Sequence, residues 1–85
     1  MNNGLKAERL KYKGRLVELE NQADNLKLTL GHGLRTMRDM LDPTEALDAI
    51  EGEAVANLAI QFAQKQIELR AALSKIETIK EALGG

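Results

Sequence analysis

Apolar residues recur along the first half of the chain at Tyr12, Leu16, Leu19, Ala23, Leu26, Leu30, Leu34, Met37 and Leu41. The steps between them average about 3.6 residues, the repeat of a straight α-helix rather than the 3.5 of a supercoiled heptad. The stripe keeps its phase through Gly31 and Gly33. It therefore predicts one continuous or mildly kinked helix over about 4–41, at a cost of roughly 1 kcal/mol for each interior glycine.

Asp42-Pro43-Thr44-Glu45 then reads as a helix start. Asp42 stands where an N-cap carboxylate belongs, Pro43 at the first helical position where its missing N–H costs nothing, and Glu45 where it reaches back to the cap. Beyond it, Leu47, Ile50, Ala54, Leu58, Phe62, Leu69, Leu73, Ile76 and Leu83 form a stripe interrupted near Lys65 and Gln66. A second row runs beside it at Ala56, Ile60, Ala63, Ile67 and Ala71. The pattern predicts a helix over about 43–83, stopped by Gly84-Gly85, with an apolar face wider than one partner helix covers.

Two helices of matching length joined by a reversal at 41–44 make an antiparallel hairpin, a single all-α domain over 1–85. In that register residue i lies beside residue 84 − i. Gly31 and Gly33 then fall at the level of Gly52, and Ala54, Ala56 and Ala59 nearby point to a close backbone approach there. The second row sets the oligomer expectation. In a lone hairpin Ile60, Ala63 and Ile67 face water, and pairing two hairpins into a four-helix bundle, a homodimer, covers them.

Composition narrows the chemistry. A chain of 85 residues buries a modest share of its surface unless it associates. It holds no cysteine, which excludes disulfides and thiolate metal sites. No run approaches the roughly 20 apolar residues of a membrane span, and 1–15 lacks the apolar core of a signal segment, so the expectation is a soluble cytoplasmic protein. With one Phe, one Tyr and no Trp, there is no aromatic platform for stacking bases. His32, with Asp39, Asp42, Glu45 or Glu53, sketches a metal site, but it lacks a second histidine at helical spacing. No hydroxyl has a positioned base and no glycine-rich phosphate fingerprint is complete. The reading is that the chain is not an enzyme and carries no cofactor or metal.

The net charge of −1 hides two blocks. Lys6, Arg9, Lys11, Lys13 and Arg15 form a basic stretch with Glu8 its one acid; Asp42, Glu45, Asp48, Glu51 and Glu53 form an acidic one. The basic block is either an arm for phosphates or the solvated end of an amphipathic helix. In a two-fold dimer with its turns at opposite ends, the acidic block of one chain would lie beside the basic block of the other.

The run Leu41-Asp42-Pro43 after a helix rich in Leu and Arg, then Gln66-Ile67-Glu68-Leu69-Arg70, the closing Ile76-Glu77-Thr78-Ile79-Lys80-Glu81-Ala82-Leu83-Gly84 and the early Lys13-Gly14-Arg15-Leu16, resembles small helical proteins of Mu-like transposable phages and prophages. The resemblance spans most of the chain. Those proteins carry no assigned activity, so it implies a phage or prophage origin and a bacterial cytoplasm, and it brings no site residue. The functional expectation is a small helical interaction protein that acts on a host or phage protein by macromolecular binding. The alternatives are a nucleic-acid-associated bundle using the basic end of the first helix, and a metal- or ligand-binding bundle centred on His32.

Overall fold

An unbroken helix of 39 residues, α1, runs over Asn2–Met40 in the computed structural model, which describes residues 2–84. Leu, Lys, Glu and Arg dominate it, side chains that lose little rotamer freedom in a helix. It passes Gly31 and Gly33 without interruption. It ends at Asp42-Pro43 because proline supplies no N–H and steers the residue before it out of helical backbone. The last turn closes with the Leu41 N–H donating to the carbonyls of Met37 at 3.1 Å and Arg38 at 3.3 Å.

The second helix, α2, spans Gly52–Ala82 and returns antiparallel over 31 residues. At its far end the Leu83 N–H donates to Ile79 at 2.9 Å and the Gly84 N–H to Glu81 at 3.0 Å, with Gly84 at φ 79°, a left-handed conformation suited to glycine. Gly85, the other half of the expected stop, lies outside the described residues.

The expected reversal at 41–44 is instead a connection over 41–51, and α2 begins at Gly52 rather than Pro43. The start signal is used in a turn. Asp42 Oδ1 accepts the Thr44 N–H at 2.9 Å and the Thr44 hydroxyl at 2.7 Å, while the Asp42 carbonyl accepts the Glu45 N–H at 3.2 Å. Asp42 and Glu45 thus shape this turn and do not cap α2. Ala46 is extended at φ −60°, ψ 137°, a 3₁₀ turn follows over Leu47–Ala49, and Ile50 is again extended. Glu51 precedes α2 without a side-chain cap bond. The physical reason lies in the spacing of the acids. Glu45, Asp48 and Glu51 recur every third residue, so a continuous helix would stack three like charges on one face, and Gly52 adds its own helix cost.

Displacing the start of α2 changes the register. Leu19, Ala23, Ala72 and Ile76 form the buried cluster, with Leu16, Leu69 and Ile79 packed on it. In antiparallel order this sets Leu19 at the level of Ile76 and Ala23 at that of Ala72, so residue i lies beside residue 95 − i. Gly33 accordingly lines a cavity with Leu58 and Phe62, not Gly52. A Cβ built on Gly33 or Gly52 would meet nothing within 4 Å, and one on Gly31 only the Arg35 guanidinium at 3.7 Å. The glycines mark no close approach. That role falls to Ala23 and Ala72, the two most buried side chains.

The seam also has a different phase from the expected stripe. Leu19, Ala23, Leu26 and Leu30 are buried and Gly33, Met37 and Met40 half-buried, while Leu34 and Leu41 are at least half exposed and Tyr12 is exposed as well. Steps of four and three alternate strictly, the 3.5 repeat of a heptad. On α2 the same repeat runs through Val55, Leu58, Phe62, Lys65, Leu69, Ala72, Ile76, Ile79 and Leu83, with Ala72 buried where Leu73 was expected. Two long helices in contact keep one face toward each other only by following this repeat, whatever the size of the residue that lands there.

The product is a rod of 71 × 16 × 15 Å with a radius of gyration of 19.5 Å, against about 12 Å for a compact chain of this length. Its accessible surface is 6763 Å², where a compact monomer of this mass exposes about 5,000 Å².

Candidate functional site

Between Ala54 and Gln64, α2 carries no charged residue. A helix apolar or neutral on all sides has the composition of a buried one. Only its seam side is covered: Leu58 and Phe62 are half-buried, whereas Ala56, Ala59, Ile60 and Ala63 are exposed. The outward row continues through Ile67 and Ala71. Ile60 and Ile67 sit one heptad apart on the side of α2 away from the seam, 58% and 65% exposed. The three residues singled out in the sequence, Ile60, Ala63 and Ile67, therefore share one outer face.

The same stretch is where the hairpin packs least well. Among the described residues none between Leu30 and Ala72 is fully buried. A cavity of about 180 Å³ opens there beside Gly33, lined by Leu30, Leu58, Phe62 and Lys65. Lys65 takes a seam position and pairs outward with Glu68 at 3.3 Å, its stem lying along the cavity edge while the ammonium reaches water. The interruption of the α2 stripe at Lys65 is visible from residue type, whereas Gly33 does not stand out as a packing fault; the heptad count from Leu19 is the signal that finds it.

The charged blocks lie at opposite ends of the rod. Arg9 Nη2 donates to the Leu83 carbonyl at 3.3 Å, complementing the C-terminal end of α2, and Arg15 pairs with Glu18 at 3.9 Å. Lys6, Lys11 and Lys13 are exposed, with no carboxylate in ion-pair reach among the described residues. The Arg9 contact also marks where α2 ends beside α1. Leu5, at a seam position beyond that point, has no α2 residue opposite it, and both Leu5 and Leu10 are 67% exposed. At the other end Leu47, expected on the α2 stripe together with Ile50, belongs instead to the connection and is 86% exposed. Around it stand Asp42, Glu45, Asp48, Glu51 and Glu53. The Asp42 carboxyl is held below the ordinary carboxylate range by the Thr44 N–H and then by the Thr44 hydroxyl.

His32 is exposed, and its carbonyl accepts the Thr36 hydroxyl at 3.0 Å. Among the described residues no group of three or more His, Asp or Glu side chains is arranged to hold a metal ion. No helix among the described residues is long and apolar enough to cross a membrane. No family model, curated protein or solved structure matches the chain. The functional reading therefore rests on the surface itself: an uncharged outer face on α2, flanked lengthwise by ends of opposite charge.

Proposed function

We propose that the chain is a non-catalytic interaction module, a helical hairpin that pairs through Ile60, Ala63 and Ile67 into a layered dimer of four helices rather than a closed bundle, and acts by binding another macromolecule. The observation that carries this reading is the charge-free stretch Ala54–Gln64, whose outer side is exposed. The surface supports it in magnitude. The chain exposes about 1,700 Å² more than a compact monomer, about twice the roughly 800 Å² that each partner buries in a standard interface. The resemblance to proteins of Mu-like phages supports a bacterial cytoplasm as the setting and a host or phage protein as the further partner.

Light scattering at micromolar concentration tests the pairing, with an expected mass of twice 9.4 kDa. Changing Ile60→Glu together with Ile67→Glu is expected to return the mass to that of one chain while helix remains. A wild-type chain that stays monomeric overturns the reading. A capture from the native host, comparing wild type with this double variant, identifies the further partner.

A second reading, nucleic-acid binding by the basic end of α1, is favoured by the three exposed lysines. With Arg9 and Arg15 engaged within the chain, three cations remain, for a slope of log affinity on log salt of about −2.7 on duplex DNA. Titrating labelled duplex and single strands at two salt concentrations, with Lys6, Lys11 and Lys13 changed to Gln as control, tests it.

A further inference from the structure

We infer that the two ends of the rod dock on one another: the acidic connection of one copy seats against the uncovered arm of α1 in the next, joining copies head to tail. This contact involves neither the outer row of α2 nor the pairing proposed above. The next copy approaches along the rod, from the end at which α2 stops, so α2 does not stand between its connection and the arm.

Shape allows the contact. Residue i on α1 lies beside residue 95 − i on α2, so Ala82 stands level with Lys13, and Gly84 in its left-handed conformation turns the chain out of the helix there. Asn2 to Tyr12, the eleven residues of α1 beyond that level, form a step about 16 Å long. At the other end, the 39 residues of α1 account for about 58 Å of the 71 Å rod, which leaves about 13 Å for the projecting connection. Step and projection are of similar length.

Apolar surface marks the same two places. Leu5, Arg9 and Tyr12 continue the seam's steps of four and three into the step, where among the described residues no α2 residue faces Leu5. Leu5 is 67% exposed on the arm, and Leu47 on the connection is 86% exposed. Each lacks cover within its own chain, and head-to-tail docking brings the two together.

Charge fixes the direction. Lys6 and Lys13 flank the seam side of the arm one heptad apart, with no carboxylate in ion-pair reach among the described residues. Asp42, Glu45, Asp48, Glu51 and Glu53 surround Leu47, and none of them is ion-paired. Joining arm to arm or connection to connection would set like charges together, whereas head to tail sets opposite ones together. Rods joined in this way present a free arm and a free connection at their outer ends, so copies add along a filament with a repeat of about 58 Å. An end only 16 × 15 Å across buries less than the roughly 1,200 Å² of a standard interface, so the filament forms at high concentration and low salt.

The chain has no cysteine, so introduced thiols report without background. Leu5→Cys and Leu47→Cys placed in one chain lie at opposite ends of the 71 Å rod, too far apart to join within it. Gentle oxidation of this double variant at low salt is expected to give a ladder of covalent multimers, whereas each single variant alone gives little product. Absence of the ladder, or single variants that cross-link to themselves as fast as the two mixed, would overturn the head-to-tail contact. The ladder is expected to persist when Ile60→Glu and Ile67→Glu are added, so failure of the pairing through α2 and failure of the end contact read out separately. Sedimentation gives the independent arm: the wild-type mass is expected to grow with concentration at low salt, and a mass that stays constant counts against the contact. Lys6→Glu with Lys13→Glu is expected to weaken that growth roughly ten-fold at low salt and less at high salt. Mixing this variant with a chain carrying Glu45→Lys and Asp48→Lys is expected to restore it, and growth unaffected by the reversal or not restored by the mixture overturns the proposed contact.

Discussion

Replacing Gly33 by alanine is expected to stabilise the hairpin, although Gly33 lies on the seam where substitutions usually cost. The backbone contribution is about 1 kcal/mol, the difference between glycine and alanine inside a helix. A Cβ at this site would meet nothing within 4 Å, so no overpacking offsets the gain. The methyl also enters a half-buried position at the edge of the 180 Å³ cavity. Taking about half of the roughly 0.8 kcal/mol of a fully buried methylene, the total comes to about 1–1.5 kcal/mol. For a chain of this size that is a rise of roughly 5–10 °C in the melting temperature. The assay is thermal melting followed by far-ultraviolet circular dichroism at one protein concentration, since association moves the midpoint. Gly14→Ala is the reference: it is exposed, it also has open space around its Cβ, and it isolates the backbone part. A lower melting temperature for Gly33→Ala beside a higher one for Gly14→Ala would refute the reasoning, because something would then have to occupy the space beside Gly33.

Seam phase is testable by a pair of changes: Leu30→Glu is expected to unfold the hairpin, whereas Leu34→Glu, four residues on, is expected to be tolerated, and the reverse order by circular dichroism would restore the 3.6-residue stripe. Ile76→Ala removes a large side chain from the buried cluster and is expected to cost about 2–4 kcal/mol, read as a lower denaturant midpoint. Lys65→Leu, filling a seam position beside the cavity, is expected to raise the melting temperature, and a fall would mean that the Glu68 pair outweighs the apolar contact. For Asp42 the carboxyl titrates below its unfolded value, so its contribution is present above the ordinary carboxylate range and is lost as pH falls through the lowered value. Nuclear magnetic resonance titration of that carboxyl is expected to show a depressed midpoint that moves back upward in Thr44→Val, which removes the hydroxyl donor and keeps the N–H.

The all-helical fold, its hairpin form, the continuity of α1 through Gly31 and Gly33 and the wide apolar surface of α2 were legible because each depends on many residues agreeing. Phase and boundaries depend on single residues, and there the sequence misleads. Leu34 draws the stripe off the seam because it is large, while Gly33 holds the seam position by heptad count alone. Leu73 hides Ala72 in the same way. Asp42-Pro43-Thr44-Glu45 has every feature of a helix start, yet an aspartate before proline serves an Asx turn equally well, and local sequence does not choose between them. The choice is made nine residues further on, by the acids that repeat at every third position and by Gly52.

That choice also decides what the chain offers to a partner. Had α2 begun at Pro43, the helices would match in length, α1 would have no overhang, and Leu47 and Ile50 would lie on the seam. Holding 41–51 out of the helix shifts α2 along α1 until Ala72 meets Ala23, and this concentrates the buried cluster in the half of the rod away from the connection. The other half, from Gly33 and Phe62 onward, is left with a cavity and half-buried side chains, and it contains the stretch of α2 that carries no charge. A helix whose own partner covers it poorly has most to gain from a second contact surface, since each apolar group still in water adds about 25 cal/mol per Å² when covered. The like charges of Glu45, Asp48 and Glu51 thus act within the chain: they disfavour carrying the helix through the connection, and so leave this half of α2 short of cover.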